Sequence, residues 1–378
     1  MQNDKTYIDN GEDLRSLVAR AKESEAVGLD TEFVWERTYY PQLGLIQLSL
    51  SDEECFLIDP LAISDLGPLG ELLAHRGVVK ILHDAPQDLM ILRRATGAEP
   101  QNIFDTRLAA GFCSLPATLS LGNLIKELLD IDLAKEETRS NWCQRPLTDE
   151  QKRYALDDVR YLRAIRVLLL SRLVGPKIRS WLQEELNLLN NPATYSGNGA
   201  ESRWQKLRGT SGLDRPGLAI LKNLCIWREG MAKKINRPRG HLIKDAQLIE
   251  LARHRAITAE GQKAPCGLSD KAISRYGTTV AAIIDSTLKQ PTDSYPVPER
   301  PLRLGPAERL TYDKLAKLID LKAGVLGIAP GLVGTTGELK QLVTALNGKK
   351  AATPRQLRQT EGWRKNFLED FYRNHGRA

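Results

Sequence analysis

Long apolar runs are missing from this sequence: none approaches the roughly 18 to 20 consecutive residues a helix needs to span a bilayer. The opening stretch, MQNDKTYIDNGEDL, is polar throughout and lacks the charged-then-apolar layout of a signal peptide. Both absences point to a soluble cytoplasmic protein with no membrane partner. Cysteine is scarce as well. Cys55, Cys113, Cys143, Cys225 and Cys266 are scattered, odd in number and never spaced as CxxC. That argues against a disulfide framework and a zinc ribbon, and leaves most of them as small core residues.

What is present is ordinary for a globular chain: 42% apolar and 27% charged residues over 378 positions, enough for two or three domains with their own cores. The net charge of +7 is unevenly spread. Residues 1–195 hold 22 Lys and Arg against 30 Asp and Glu, a net of −8, whereas residues 196–378 hold 32 against 17, a net of +15. Such a division suits a front half that holds something cationic and a back half that attracts a polyanion.

Short apolar runs bounded by turns open the chain. AVGLDTEF, GLIQLSL and CFLID read as consecutive strands, and KILHD as a further buried strand between the helical periods LGPLGELLAHR and DLMILRRATG. A strand meander followed by alternating helices and strands predicts an α/β domain. From Leu119 to about Leu189 the pattern is helical, most clearly after Thr148, an N-cap whose capping box is completed by Gln151. Two breaks follow, the turn-rich NNPATYSGNGAES (Asn190 to Ser202) and QPTDSYPVPERP (Gln290 to Pro301), with four prolines in twelve residues. They divide the chain into 1–195, 200–290 and 300–378, the last two reading as small helical domains.

One strand contains a conflict. Val27 and Leu29 lead apolar residues toward Phe33, yet Asp30 and Glu32 stand two apart, on one face, where like charges destabilise each other. In HDAPQDLMIL, Asp84 is placed as a helix N-cap with Pro86 in the first turn. Asp88 has no such local role and falls on the inward turn with Leu89, Ile91 and Leu92, where a charge needs a partner. Tyr154 and Asp158 lie four apart on one helix face, while Asp157 is turned away and reads as solvated. Two metal ions resolve the conflict: Asp30, Glu32, Asp88 and Asp158 repel one another when empty but make a hard oxygen cage for Mg²⁺ or Mn²⁺. A pair of such ions about 3.5 to 4 Å apart can activate water and hold a scissile phosphate, with Tyr154 positioned to hold that water. Each element alone has a plainer reading, an exposed acidic pair or a surface YxxxD. Their order and strand-then-helix contexts are together far more specific.

These motifs resemble the DEDD exonuclease superfamily in its tyrosine-bearing branch. DTEF is similar to the first exonuclease motif, HDAPQDL to the second and YALDDVRYL to the third. ERTYYPQLGLIQLSL, IFDTRLAAGF and RSNWCQRPLT resemble the ribonuclease D family in particular, over about residues 5 to 190. Further on, LAILKNLCIWREGMAKKINRPRGHLIKDAQLIELAR resembles an HRDC domain, and PGLVGTTGELKQLV and TEGWRKNFL resemble a second HRDC-like one. The resemblance implies a ribonuclease H-like mixed-sheet exonuclease domain (1–195) followed by two small all-α HRDC-type domains (200–290 and 300–378). It implies a metal-dependent 3′–5′ exoribonuclease that trims RNA 3′ ends, those of tRNA precursors included, and releases nucleoside 5′-monophosphates; a monomer is expected. Asp30, Glu32, Asp88 and Asp158 would bind two divalent cations, and Tyr154 would orient the attacking water.

Lys233, Lys234, Arg237, Arg239 and Lys244 form the densest basic cluster and are candidates for phosphate contact, against the alternative of a solvated charged face. His83, Gln47 and Arg139 are candidates for supporting the site, although a structural histidine, a solvent-facing strand glutamine and an ordinary ion pair are the plainer readings. Trp204 and Trp227 are expected to pack helices. Two rival functions stay open at this stage: a DNA 3′–5′ exonuclease acting in repair, and a catalytically inactive nucleic-acid-binding protein.

Overall fold

The computed structural model describes residues 6–133, 140–173, 175–195, 203–256, 267–298, 302–347 and 357–375. The chain forms two compact units, one of Met1–Val34, Leu43–Ser196 and Leu302–Ala378, the other of Trp35–Gln42 and Gly197–Pro301.

The first unit is built on a six-stranded sheet of β1 (Tyr7–Ile8), β2 (Ala26–Val34), β3 (Gln42–Ser49), β4 (Cys55–Ile58), β5 (Val79–Leu82) and β6 (Ile103–Asp105), in the order β1-β4-β3-β2-β5-β6. It is mixed: β3 is antiparallel to β4, whereas β1 runs parallel to β4, and β5 parallel to both β2 and β6. The four strands expected from sequence are present. β1 and β6 were not anticipated, since two and three residues are too few to display an alternation. Around the sheet lie α1 (Gly11–Lys22), α2 (Gly67–Ala74), α3 (Pro86–Thr96), α4 (Thr106–Gly111), α5 (Leu121–Leu129), α6 (Asp149–Arg160), α7 (Leu162–Arg172) and α8 (Pro176–Leu188).

Residues Ala26 to Leu29 of β2 are all buried, as befits an inner strand covered on both faces. Gly28 shows how closely it is covered. A Cβ there would stand 2.3 Å from Ser49 Oγ and 3.1 Å from the Val159 carbonyl oxygen, and Ser49 Oγ donates to that carbonyl at 2.8 Å. A residue without a side chain therefore lets the end of α6 settle on β2, two positions from Asp30. The start of α6 carries the expected capping box: Gln151 N donates to Thr148 Oγ1 at 3.2 Å and Thr148 N to Gln151 Oε1 at 3.0 Å. The cap expected of Asp84 is absent. Asp84 adopts φ +60° and pairs with Arg107, while the buried Asp105 accepts from Asp84 N (3.2 Å) and Ala85 N (3.0 Å) ahead of α3. The same carboxylate caps α4 through Arg107 N (2.9 Å) and Leu108 N (3.1 Å).

The second unit packs α9 (Arg215–Lys234), α10 (Arg239–Leu242), α11 (Asp245–His254) and α12 (Asp270–Leu288) around Trp204, Leu221, Leu224, Leu248 and Ile284. Trp227 meets Tyr276 edge-on at 5.6 Å, so both tryptophans expected to pack helices do so. A strap from the front of the chain completes this unit. Tyr39 N and Tyr40 N donate to Asn236 Oδ1 at 3.2 Å each, and the Tyr39 hydroxyl donates to Glu229. Nothing in the sequence pattern announces this strap, because its partners lie about 190 residues away in the chain.

The C-terminal segment holds α13 (Pro306–Leu326), α14 (Thr336–Leu346), α15 (Gly362–Phe367) and α16 (Glu369–His375). Residues 300–378 were expected to form a helical domain of their own, but from Leu302 onward they share the core of the first unit. Trp363 stacks on Trp181 at 5.2 Å and meets Phe112 edge-on at 5.5 Å. Its indole N–H donates to Glu185 Oε1 at 2.7 Å, and Arg364 Nη2 donates to Glu185 Oε2 at 3.0 Å. Among the described residues no helix is long and apolar enough to cross a membrane.

Candidate active site

Asp30 and Glu32 leave one face of β2 and Asp158 descends from α6. Ligand oxygens of these three carboxylates lie within 4.8 Å of one another. Asp88, on α3, is not part of that tight group. It is buried, and its Oδ1 accepts a hydrogen bond from the Thr31 hydroxyl. It is close enough for its charge to be felt at both Asp30 and Glu32. Tyr154 stands one helical turn before Asp158, close enough for the charges of Asp158, Glu32 and Asp30 to be felt at its phenol, and its ring lies 6.0 Å from that of Trp142. Asp30, Tyr154 and Asp158 open onto a cleft of about 900 Å³.

The electrostatics follow from burial and crowding. Burial, then the charges of Asp88, Asp158 and Glu32, push the Asp30 carboxyl well above the usual carboxylate range. Glu32 rises to about 8 from burial and from Asp158 and Asp88. Asp88 rises to about 7 through burial, with the Thr31 hydroxyl pulling the other way. Burial and the carboxylates at 158, 32 and 30 raise the Tyr154 phenol, so it stays protonated. Among the described residues no lysine or arginine pairs with Asp30, Glu32 or Asp88. An all-oxygen donor set, crowded and with no paired lysine or arginine at Asp30, Glu32 or Asp88 among the described residues, is the chemistry that a divalent cation fits.

The supporting candidates fare differently. His83 lines the cleft with both ring nitrogens engaged, Nδ1 with Thr106 Oγ1 at 2.9 Å and Nε2 with the Leu119 carbonyl at 3.0 Å. Burial lowers its pKa and keeps it neutral. Gln47, a candidate for site support whose plainer reading was a solvent-facing glutamine, is fully buried, and neither amide atom is hydrogen-bonded among the described residues. Because Gly28 abuts Ser49, Gln47 shares the sheet face of Asp30. Asp157 is not simply solvated: it pairs with Arg160 at 3.1 Å and lines the cleft. Arg139 lies outside the described residues. The basic candidates belong to the second unit, where Lys233, Lys234, Arg237 and Lys244 are exposed and Arg239 pairs with Glu229 at 3.0 Å. Thr31 was missed; its signal is a hydroxyl placed between two carboxylates on a strand.

Comparison with known proteins agrees with this arrangement. Residues 6–173 match the family model described as 3′–5′ exonuclease, and residues 217–284 match the HRDC domain model. Ribonuclease D of Desulfotalea psychrophila is 53% identical over 97% of both chains. That of Escherichia coli K12 is 31% identical over 89% of both. The crystal structure of Escherichia coli RNase D, titled an exoribonuclease involved in structured RNA processing, superposes with a TM-score of 0.84 at 29% identity over 97% of each chain. The catalytic core of RRP6 from Trypanosoma brucei, at 20% identity and a TM-score of 0.58 over 75% of this chain and 79% of that one, shares the fold. With its carboxylates, mixed sheet and HRDC module in place, this chain belongs to the ribonuclease D family of 3′–5′ exoribonucleases.

Proposed function

We propose that this exoribonuclease holds two divalent cations, Mg²⁺ or Mn²⁺, between Asp30, Glu32, Asp88 and Asp158, and shortens RNA from its 3′ end one nucleotide at a time, tRNA precursors included. The observation that carries the reading is the convergence of the Asp30, Glu32 and Asp158 oxygens within 4.8 Å beside Tyr154. Bound there, the cations would lower the pKa of a water and offset the charge of the scissile phosphate. The chain supplies the rest. A strand and a helix fix the spacing of the three carboxylates, since side chains on regular elements hold position better than those on loops. Thr31 orients Asp88. Tyr154, protonated and on the same helix face as Asp158, orients the attacking water at its hydroxyl. Neutral His83 braces the cleft wall.

In this reading residues 1–195 form the exonuclease domain and 200–290 an HRDC module. Residues 300–378 are a second HRDC-like piece incorporated into the nuclease core. Lys233, Lys234, Arg237, Arg239 and Lys244 hold RNA phosphates, and the enzyme works as a cytoplasmic monomer. Matched 5′-labelled RNA and DNA oligonucleotides, incubated with Mg²⁺, Mn²⁺ or EDTA, test it. The expected result is a ladder shortening from the 3′ end of RNA, lost in EDTA, with nucleoside 5′-monophosphate as product. Shortening of DNA alone would make the enzyme a deoxyribonuclease, and binding without shortening of either strand would make it a binder.

A further inference from the structure

A second cavity, of about 690 Å³, lies wholly within the helical unit. Its walls carry Arg203, Lys206, Arg228, Arg239 and Lys244 against a single lining carboxylate, Asp245. Some of this charge is already used. Arg239 and Arg203 share the buried Glu229, at 3.0 and 3.8 Å, and Arg228 pairs with Asp245 at 2.6 Å while its buried Nε has no partner among the described residues. Lys206 and Lys244 have no ion pair among the described residues. The pocket thus keeps positive charge in excess, the condition for holding a phosphate.

An aromatic residue of unusual placement stands in the same wall. Of the six tryptophans, Trp35 alone is exposed, at 46%. Its indole N–H donates to the Tyr39 carbonyl at 3.0 Å, which fixes the ring without using its faces. Among the described residues no ring or cation covers it. Tyr39 is the contrast: its hydroxyl is tied to Glu229 and its ring lies beneath Lys233 (5.9 Å) and Arg239 (5.5 Å). An uncovered, anchored indole next to unpaired lysines matches the chemistry of one nucleotide, a flat base joined to an anion. An acidic peptide would meet the lysines but would leave the indole face unused.

We propose that this pocket is a second RNA subsite, in which an unpaired base of a single-stranded stretch stacks on Trp35 while Lys206, Lys244 and Arg203 hold its phosphate. The proposal rests on the exoribonuclease reading only for the identity of the polymer. Trp35 follows Glu32 by three residues, so the strand that bears two of the carboxylates leads straight into the strap that bears the stacking ring.

The test uses the full chain in EDTA, so that RNA is bound but not cut, with a fluorescein-labelled oligoadenylate and anisotropy as the readout. Trp35→Ala is expected to weaken binding about tenfold. Trp35→Phe, which keeps an aromatic face, should stay within about threefold of wild type. Lys206→Gln combined with Lys244→Gln should reduce the slope of log affinity against log salt by about 1.4, two phosphate contacts at about 0.7 each. Unchanged thermal melting shows that each variant folds. Wild-type affinity in Trp35→Ala overturns the subsite, as does an equal loss in Trp35→Phe. Loss in the lysine variant alone also overturns it, leaving a surface for any polyanion. Wild-type hydrolysis of the same oligoadenylate with Mg²⁺ is measured separately. If it is absent while the Trp35 effects hold, the nuclease reading fails and the subsite stands; if it is present while they vanish, the reverse is true.

Discussion

Asp30 is half-buried among carboxylates that each raise its pKa, a cost of folding that a bound cation would offset. Under the proposed metal assignment, removing any of these carboxylates should matter more to chemistry than to substrate capture. Asp30→Ala, Asp88→Ala and Asp158→Ala are each expected to slow RNA hydrolysis by about 10³-fold or more, with binding in EDTA within about twofold of wild type because the basic residues are untouched. An Asp158→Ala enzyme as active as the parent would remove the metal assignment. Asp30 and Glu32 were legible because they break a strand's alternation, and Tyr154 and Asp158 because four residues make one helical turn. Lys80 was not legible. It sits in β5 with no exposed surface, donating to the carbonyls of His75 at 2.5 Å and Val78 at 2.9 Å, and nothing in VVKIL shows which layers will cover it. Burial lowers its pKa to about 7, against about 10.4 in an unfolded chain. Between those values the unfolded state binds more protons than the folded one. Stability should therefore rise with pH through that window, by up to about 1.4 kcal/mol per pH unit. Urea midpoints across the window should show this slope in the wild type and its loss in Lys80→Met; equal slopes would mean that the ammonium finds water.

At the scale of elements, the site depends on how near α6 comes to β2. Gly28 sets that approach, since a methyl group there collides with Ser49 Oγ and presses on the Val159 carbonyl at 3.1 Å, one residue from Asp158. Gly28→Ala is expected to cost about 1–3 kcal/mol in stability, the usual cost of overpacking. It should also slow turnover by about 10²-fold, because moving the helix that carries Tyr154 and Asp158 by an ångström spoils the alignment the proposed chemistry needs. Urea unfolding and turnover at saturating RNA check the two effects; a stable but fully active variant would show that α6 can shift without consequence. The helix itself was readable from Thr148 and Gln151. Its height above the sheet was not, because that depends on residues 28 and 49 meeting residue 159, which no local pattern encodes. The same reason hid the role of Asp105, whose one carboxylate caps α4 and also accepts from the backbone of residues 84 and 85 ahead of α3, where Asp84 does not cap as expected.

At the scale of the molecule, the acidic-front, basic-back division of the sequence resolves into a different one. The chain leaves the first unit after residue 34, returns, leaves again after residue 196 and returns at Leu302. The second unit, with 19 Lys and Arg against 11 Asp and Glu, carries +8, whereas the first is close to neutral at −1. The basic C-terminal segment offsets the acidic nuclease segment because the two share a core. The proline-rich break before residue 302 was visible in the sequence. The docking that follows was not, because Trp363 and Arg364 find Trp181 and Glu185 across about 180 residues. Glu185 and Arg364 are both nearly inaccessible, at 7% and 5%, and breaking a buried ion pair costs about 3–5 kcal/mol because the surviving charge is stranded. Glu185→Gln is therefore expected to lower the melting temperature of the first unit, and Glu185→Gln combined with Arg364→Met to recover part of the loss. Truncation after Pro301 should be more severe, since it uncovers Phe112 and Trp181 together and leaves a nuclease segment that does not melt cooperatively. A truncated chain with the parent's melting temperature and full turnover would show that residues 302–378 are a detachable module rather than part of the nuclease core.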